Sequence, residues 1–172
     1  DLGKFSKSLE LNIQALEIYE NLYGQENTSY ALSLNNLASC YQELGMLNEA
    51  LDYTLKSISI YNKIYGKYHP DYAIALSNLG SIYSDLGNSI KSFESYLESL
   101  EIREVVFGKN HPSYALSLNN IANSYCVFGD YEKALELYLE ALSINEEIYG
   151  TDHPTYLLTY TNLAMVYGDL NF

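Results

Sequence analysis

The chain has 172 residues, of which 48% are hydrophobic, and this length predicts a single domain or one compact array with a sizeable core. Its 22 acidic and 9 basic residues give a formal net charge of −13, which argues against nucleic acid and anionic membranes as ligands, because both attract lysine and arginine. The charge leaves two interpretations open, a soluble self-repelling surface and the attraction of a basic partner.

Several features predict a cytoplasmic location. The N-terminal sequence has no apolar segment of the signal-peptide kind, and no apolar run approaches the roughly 18 residues that suggest a membrane span. Cys40 and Cys126 lie far apart and outside any metal-binding or C-x-x-C spacing, which favours free thiols in a reducing compartment. Because the chain begins without methionine, we expect it to be a piece of a longer protein.

Residues recur at one constant period of 42 positions along the chain, with no gap or insertion. The recurring residues form five series: Gly24, Gly66, Gly108 and Gly150; Tyr30, Tyr72, Tyr114 and Tyr156; Asn36, Asn78, Asn120 and Asn162; Tyr41, Tyr83, Tyr125 and Tyr167; and Gly3, Gly45, Gly87 and Gly129. A period of this length predicts a repeat array in which each unit buries its apolar face against its neighbours.

Each unit is predicted to form two helices, which we call A and B. In the unit 71–107, apolar residues recur at helical spacing in a first run, Gly87-Asn88 ends that run, and a second run ends at Gly108. The residues expected on these faces are Tyr72, Leu76, Leu79 and Tyr83 in helix A, and Phe93, Tyr96, Leu97, Leu100 and Val105 in helix B.

The pattern predicts eight helices and no strand. In chain order they are B 5–22, A 29–44, B 47–65, A 71–86, B 89–107, A 113–128, B 131–149 and A 155–170. We therefore expect one all-α array over 1–172, with helix pairs 29–65, 71–107 and 113–149 between a lone helix B and a lone helix A. Two apolar end faces are then exposed, and because they are complementary, head-to-tail self-association is an alternative function.

Histidine and proline precede three of the A helices, at His69-Pro70, His111-Pro112 and His153-Pro154. Proline suits the first turn of a helix, because its missing N–H would be unpaired there. The residue after proline can cap a helix, and so can the histidine before it, so the pattern leaves the choice of cap open. The histidines, one per repeat, are predicted to lie too far apart for one metal site.

The unit resembles the tetratricopeptide repeat in its small and large positions. The small positions are Ala38, Gly80, Ala122 and Ala164 in helix A, and Ala50, Ser92 and Ala134 with Ala15, Ser57, Ser99 and Ala141 in helix B; the large ones are Leu37, Leu79, Ile121 and Leu163. The frequent tryptophan of the family is replaced by Leu34, Leu76, Leu118 and Tyr160. The stretch HPDYAIALSNLGSIYSDLG resembles the 42-residue repeats of kinesin light chains.

This resemblance implies a right-handed superhelical solenoid of antiparallel helix pairs that acts as a protein–protein interaction scaffold. In the family, the A helices line a concave groove that holds a peptide or partner segment. The resemblance therefore implies a peptide-binding site formed by Asn35, Asn36, Ser39, Ser77, Asn78, Ser81, Asn119, Asn120, Asn123 and Asn162. Asparagine amides both donate and accept hydrogen bonds, which suits a peptide backbone. The alternative is that these amides hold neighbouring repeats in register.

The charges on the A helices predict the kind of partner. All nine lysines and arginines lie outside these helices, whose charged residues are the acidic Asp71, Glu43, Asp85 and Asp169. This distribution favours a neutral or basic peptide over an acidic one. The sequence has no nucleophile with a nearby base and no phosphate-binding loop, so we expect no enzymatic activity, no cofactor and no metal.

Overall fold

The computed structural model describes the backbone of residues 2–170 and the side chains of residues 7–168. Over this range the chain forms eight α-helices and no strand, which confirms the predicted all-α class. The helices are α1 (Leu2–Tyr23), α2 (Thr28–Glu43), α3 (Leu47–Tyr65), α4 (Pro70–Asp85), α5 (Ser89–Phe107), α6 (Pro112–Phe128), α7 (Tyr131–Tyr149) and α8 (Pro154–Leu170). The A helices are thus α2, α4, α6 and α8, and the B helices are α1, α3, α5 and α7.

Contacts divide the chain into two compact units, Asp1–Ser95 and Tyr96–Phe172, with the boundary inside α5. In the first unit α2 packs on both α1 and α3, and α4 packs on α3 and touches α2. In the second unit α7 packs between α6 and α8. Within the described residues, no helix combines the length and the apolar character that a membrane crossing would need.

Histidine caps the start of α4, α6 and α8. The Nδ1 atoms of His69, His111 and His153 accept hydrogen bonds from the backbone N–H two residues on, at 3.2, 3.1 and 3.2 Å. Each imidazole also stacks on the aromatic residue that ends the preceding B helix, with ring centroids 3.7 to 4.3 Å apart. In α2, Asn27 takes the place of the histidine and accepts from the Tyr30 N–H at 2.9 Å. The choice of cap that the sequence leaves open therefore falls on the residue before proline.

Replacing His111 with alanine is expected to lower the free energy of unfolding by about 1–2 kcal/mol, because the N–H of Ser113 loses its acceptor. The matched control is His111→Asn, since Asn27 already caps α2 from the corresponding position. Urea titration followed by circular dichroism compares the two variants. Equal losses would contradict the cap and assign the whole effect to the stack on Phe107.

Glycine ends several helices in a backbone conformation that side chains disfavour. Gly66 follows α3 with φ 74°, and Gly129 follows α6 with φ 78°. Both angles lie in the left-handed region, where a Cβ atom is penalised. Gly3 belongs to the same sequence series as Gly129 but lies inside α1 rather than in a turn.

The B helices bury small side chains against their neighbours. In α3, Ala50, Thr54 and Ser57 are buried, and the Ser57 hydroxyl donates to the Ala31 carbonyl of α2 at 2.9 Å. The prediction for α5 was wrong in part, because Leu97 and Val105 are exposed. The residues of α5 that are buried are instead Ser92, Ser95, Ser99, Ile102 and Arg103. Small residues permit close approach of helices, so the packed face is less apolar than hydrophobic periodicity suggests.

One buried position of the B helices carries a different residue type in each repeat. The residues there are Tyr61 in α3, Arg103 in α5 and Asn145 in α7. Arg103 is 3% exposed and donates from Nη1 to the Ser117 hydroxyl and the Ser113 carbonyl of α6, at 2.8 and 3.0 Å. Burial lowers the pKa of its guanidinium to about 10. Asn145 donates from Nδ2 to the Thr159 hydroxyl of α8 at 3.3 Å. The polar residues at this position thus contact hydroxyl groups on the next A helix.

Alkaline pH is expected to weaken the fold through Tyr61, which is 2% exposed. Burial, and then the charge of Asp71, raise the pKa of its phenol to about 12. Because the folded pKa lies above the unfolded value of about 10, the stabilisation is complete below pH 10 and is lost as the pH rises through 12. The stability difference between the parent and Tyr61→Phe should fall by about 2–3 kcal/mol over that window in urea titrations. A difference that is constant with pH would contradict this assignment.

Candidate functional site

In α2, α4 and α6 one stripe of residues faces outwards while most of the remaining helix surface is buried; α8 has the same stripe and exposes further residues beside it. In α2 the stripe is Leu32, Asn36, Ser39 and Glu43, which follow each other at spacings of three or four residues on one face. The same positions carry Ile74, Asn78, Ser81 and Asp85 in α4; Leu116, Asn120, Asn123 and Val127 in α6; and Leu158, Asn162 and Met165 in α8. The side chains of Lys4 and Asp169 lie outside the described residues.

The stripes of α2 and α4 lie side by side, and we call them together the first A face. Asn78 donates from Nδ2 to the Asn35 Oδ1 atom at 3.1 Å. About two turns further on, the Gln42 Nε2 atom donates to the Ser81 hydroxyl at 2.8 Å and to the Asp85 carboxylate at 2.6 Å. These bonds join positions that nearly correspond in the repeat, so the two helices run parallel and in register.

The stripes of α6 and α8 belong to the second compact unit and form the second A face. Asn119 lies behind this face and donates from Nδ2 to the Thr159 hydroxyl of α8 at 3.1 Å and to the Ala115 carbonyl at 3.0 Å. Val127 and Met165 are exposed on this face, at positions where the first A face has Glu43 and Ser39. The second A face is therefore more apolar than the first.

The residues predicted to bind a peptide divide into two groups. Asn35 and Asn119 are buried, and their amides bond to neighbouring A helices. The others are exposed or half-buried, namely Asn36, Ser39, Ser77, Asn78, Ser81, Asn120, Asn123 and Asn162. Residues next to each other in a helix point about 100° apart, so Asn35 and Asn36 cannot share one surface.

Several of the exposed amides have no bond within the part of the chain that the structure describes. The side chain of Asn36 is exposed and makes no hydrogen bond there, and the half-buried amides of Asn120 and Asn162 make none either. Asn78 uses its Nδ2 atom towards Asn35, and Asn123 Oδ1 accepts from the Tyr138 hydroxyl. Amides without an internal partner are available to a ligand backbone.

The first A face has an acidic end. Glu43 and Asp85 end α2 and α4, and the C-terminus of a helix adds partial negative charge from its unpaired carbonyls. Within α2 and α4 there is no lysine or arginine to neutralise these groups. Cations are therefore favoured at this end of the face.

Sequence reasoning missed one part of the stripes. Leu32, Ile74, Leu116 and Leu158 are 53, 46, 46 and 61% exposed, although apolar residues at helical spacing are usually core. Leu34, Leu76 and Leu118, two residues further on, are the buried ones. The two series differ in the residues three or four positions away on the same helix face. Only the exposed series, which begins with Leu32, shares its face with Asn and Ser.

A pocket of about 580 Å³ lies elsewhere in the first unit, between α2, α3 and the loop that precedes α2. Lys63 forms an ion pair with Glu26 beside it. The pocket shares no residue with the first A face. Among residues 7–168, no three His, Cys, Asp or Glu side chains come together as a metal site would require.

A family model described as tetratricopeptide repeat matches the chain four times, over residues 1–63, 31–104, 71–127 and 113–171. Among solved structures, a putative kinesin light chain from Podosopora anserina with nearly identical TPR-like repeats is 25% identical, with a TM-score of 0.78 over 96% of this chain and 79% of that chain. BtubC (BKLC) from P. vanneervenii is 23% identical, with a TM-score of 0.85 over 96% of this chain and 66% of that chain. A search of curated protein sequences found no match.

Proposed function

Because the chain belongs to the tetratricopeptide repeat family, whose repeats generally mediate protein–protein interaction, we propose that it is a scaffold that binds a partner segment on its A faces. The single observation that carries the proposal is the exposed stripe on each A helix, with an asparagine at the same position every time. A surface with no functional constraint would have no reason to keep an amide at this position in four repeats, since asparagine is a mediocre helix former.

The hydrogen bonds of the first A face support a rigid binding surface. Because Gln42 and Asn78 join α2 to α4 at two heights, the Asn36 and Asn78 side chains stay at a fixed distance from each other. A preorganised surface binds a peptide with less loss of conformational entropy than a mobile one. Asn36 is the residue of this face whose amide is wholly available to a ligand.

The charge of the first A face supports a neutral or basic partner. Glu43 and Asp85 repel an acidic segment, and α2 and α4 contain no lysine or arginine to attract one. Electrostatic complementarity chiefly affects the rate of association and the choice of partner. Binding of a basic segment to this face should therefore weaken as the salt concentration rises.

The test uses peptides selected by the whole chain from a random 12-residue phage-displayed library. Fluorescence anisotropy then compares the Kd of a selected peptide for the parent chain and for a variant with Asn36→Ala and Asn78→Ala. We expect the Kd to rise by about fivefold to a hundredfold, since two lost hydrogen bonds together cost about 1–3 kcal/mol.

A second variant with Asn48→Ala and Asn62→Ala is the matched control, because both residues are exposed on α3, away from the A face. It should leave the Kd unchanged. If the peptides bind the Asn36/Asn78 variant as tightly as the parent chain, the A face is not their site and the proposal fails.

Head-to-tail self-association is a second candidate, and the terminal helices favour it. Tyr160 in α8 is exposed, although the corresponding Leu34, Leu76 and Leu118 are buried. Ile18 in α1 is exposed in the same way, whereas the corresponding Ile102 and Ile144 are buried. Packing α8 of one copy on α1 of another would cover both, as α2 and α3 cover each other within the chain.

Sedimentation velocity over a range of concentrations tests the second candidate. The mass of the parent chain should rise with concentration, and Tyr160→Glu should abolish the rise, because a carboxylate would be buried in the contact. A parent chain that remains monomeric at millimolar concentration would exclude this association.

A further inference from the structure

Each A helix also exposes an aliphatic residue at the start of its stripe, and the proposed function gives these residues no role. They are Leu32, Ile74, Leu116 and Leu158, and we call them the aliphatic row. Leu32 and Ile74 stand one turn before Asn36 and Asn78 on the first A face. Their exposure does not come from a missing neighbour, because α2 packs between α1 and α3, and α4 packs on α3. Scattered exposed leucines are ordinary, but the same position is aliphatic and about half exposed in every A helix.

The spacing of this row follows from the packing of α2 and α4. Packed helices have axes about 8–10 Å apart, and the hydrogen bonds of Gln42 and Asn78 hold these two in register. Leu32 and Ile74 occupy corresponding positions, so they should lie about one interaxial distance apart. Three residues of a polyproline II segment cover about 9 Å, and every third side chain then returns to the same face of the segment.

The opposite end of the first A face has different chemistry. Glu43 lies eleven residues after Leu32 in α2, which corresponds to about 16 Å along the helix axis. Asp85 takes the same place in α4. From one end to the other, the face therefore presents an aliphatic row, an amide row and an acidic row.

We infer that the first A face binds an amphipathic segment with aliphatic side chains at every third position and with lysine or arginine between them. This inference rests on the proposed function and adds the chemical class of the partner. The aliphatic side chains pack on Leu32 and Ile74, the ligand backbone meets the amides, and the cations lie towards Glu43 and Asp85. An acidic or purely polar segment leaves the carboxylates or the aliphatic row without a partner.

The second A face has different requirements. Val127 stands where Glu43 and Asp85 stand on the first face, and Met165 where Ser39 and Ser81 stand. Its described stripe residues carry no charge, so a ligand there gains from aliphatic side chains and not from cations. Among the described stripe residues, carboxylates lie on the first A face only, so salt dependence is expected of that face.

The experiment uses three fluorescein-labelled 12-residue peptides and the whole chain. The first has leucine at every third position and lysine elsewhere, the second replaces lysine with glutamate, and the third replaces leucine with serine. We expect the first peptide to bind at least about tenfold more tightly than either of the others in fluorescence anisotropy, and to weaken with added salt.

Two variants locate the effect. Leu32→Ser with Ile74→Ser should weaken the leucine–lysine peptide about tenfold, whereas Leu55→Ser, an exposed leucine of α3, should not. Glu43→Gln with Asp85→Asn should remove most of the salt dependence. A lysine-rich peptide is also attracted by the overall charge of −13, so the control must remove the same number of charges elsewhere. Glu49→Gln with Asp52→Asn on α3 does so, and it should leave the salt dependence in place.

The outcomes separate this inference from the proposed function. If the three peptides bind equally, or if the Leu32/Ile74 variant binds like the parent chain while the Asn36/Asn78 variant does not, the A face binds peptides but the inference is wrong. If neither variant affects binding, both fail together. Loss of binding in the Leu55→Ser control would place the ligand on the B helices and also overturn the inference.

Discussion

Replacement of Leu118 with alanine is expected to lower the free energy of unfolding by about 3–5 kcal/mol, and the same change at Leu116 by less than about 0.5 kcal/mol. The two leucines lie two residues apart in α6, but Leu118 is 1% exposed and Leu116 is 46% exposed. Leu118 packs in a cluster with Tyr114, Ala115, Ala141 and Ile144, so its loss leaves a cavity between α6 and α7.

Urea titration of both variants measures this difference. The result for Leu116 also tests the binding surface. Leu116 lies on the second A face, and it can contact a ligand only if its side chain is not part of the core. A loss of several kcal/mol at Leu116 would mean that the aliphatic row is part of the core, and would contradict its assignment as surface.

The Arg103→Met variant is expected to be more stable than the parent chain by about 1–3 kcal/mol. Arg103 is buried, and within the described residues it has no carboxylate partner, so the fold bears the cost of desolvating a charge. Burial lowers the pKa of the guanidinium to about 10, so the charged form is destabilised in the folded state. Methionine fills a similar volume without this cost.

The hydroxyl that Arg103 now contacts has another partner available. Ser33 occupies the corresponding position in α2 and donates to the carbonyl of Ser29, four residues earlier. Ser117 can do the same with the Ser113 carbonyl once the arginine is removed. No buried polar group is then left unpaired, which is the condition for a gain in stability.

Arg103→Glu is the opposite control, because it buries a carboxylate against the Ser113 carbonyl, and it should unfold the chain or cost more than about 3 kcal/mol. Urea titrations of the parent and of both variants show whether each substitution raises or lowers the free energy of unfolding. If Arg103→Met is destabilising by several kcal/mol, the two hydrogen bonds outweigh desolvation and the account of this position is wrong.

The repeat family and the all-α class are predicted from the sequence and are confirmed, because a strict period of 42 residues and helical spacing are properties of sequence alone. The ends of α3 and α6 are also marked in the sequence, since Gly66 and Gly129 have backbone angles that a side chain would strain. The cap was open because histidine and the residue after proline both have suitable acceptors. Only the direction of the imidazole, set by its stack on Tyr65, Phe107 or Tyr149, selects the histidine.

The candidate site was harder to predict, because a period shows that a residue recurs and not which way it points. Asn35 and Asn36 both recur or are replaced by polar residues, but one is buried and the other is exposed. Leu32 and Leu34 show the same ambiguity among apolar residues. At position 103 the neighbouring repeats carry Tyr61 and Asn145, so periodicity gives no warning that a buried arginine follows.

The side-chain amide signals of Asn36 and Asn78 report directly on whether the first A face binds a partner segment. A ¹⁵N-labelled sample of the whole chain is titrated with a library-selected peptide and followed by NMR. If a partner segment binds the first A face, the amide signals of Asn36 and Asn78 shift and saturate together, while those of Asn48 and Asn62 on α3 stay in place. Saturable binding that shifts Asn48 and Asn62 and leaves Asn36 and Asn78 unchanged would contradict binding at this face.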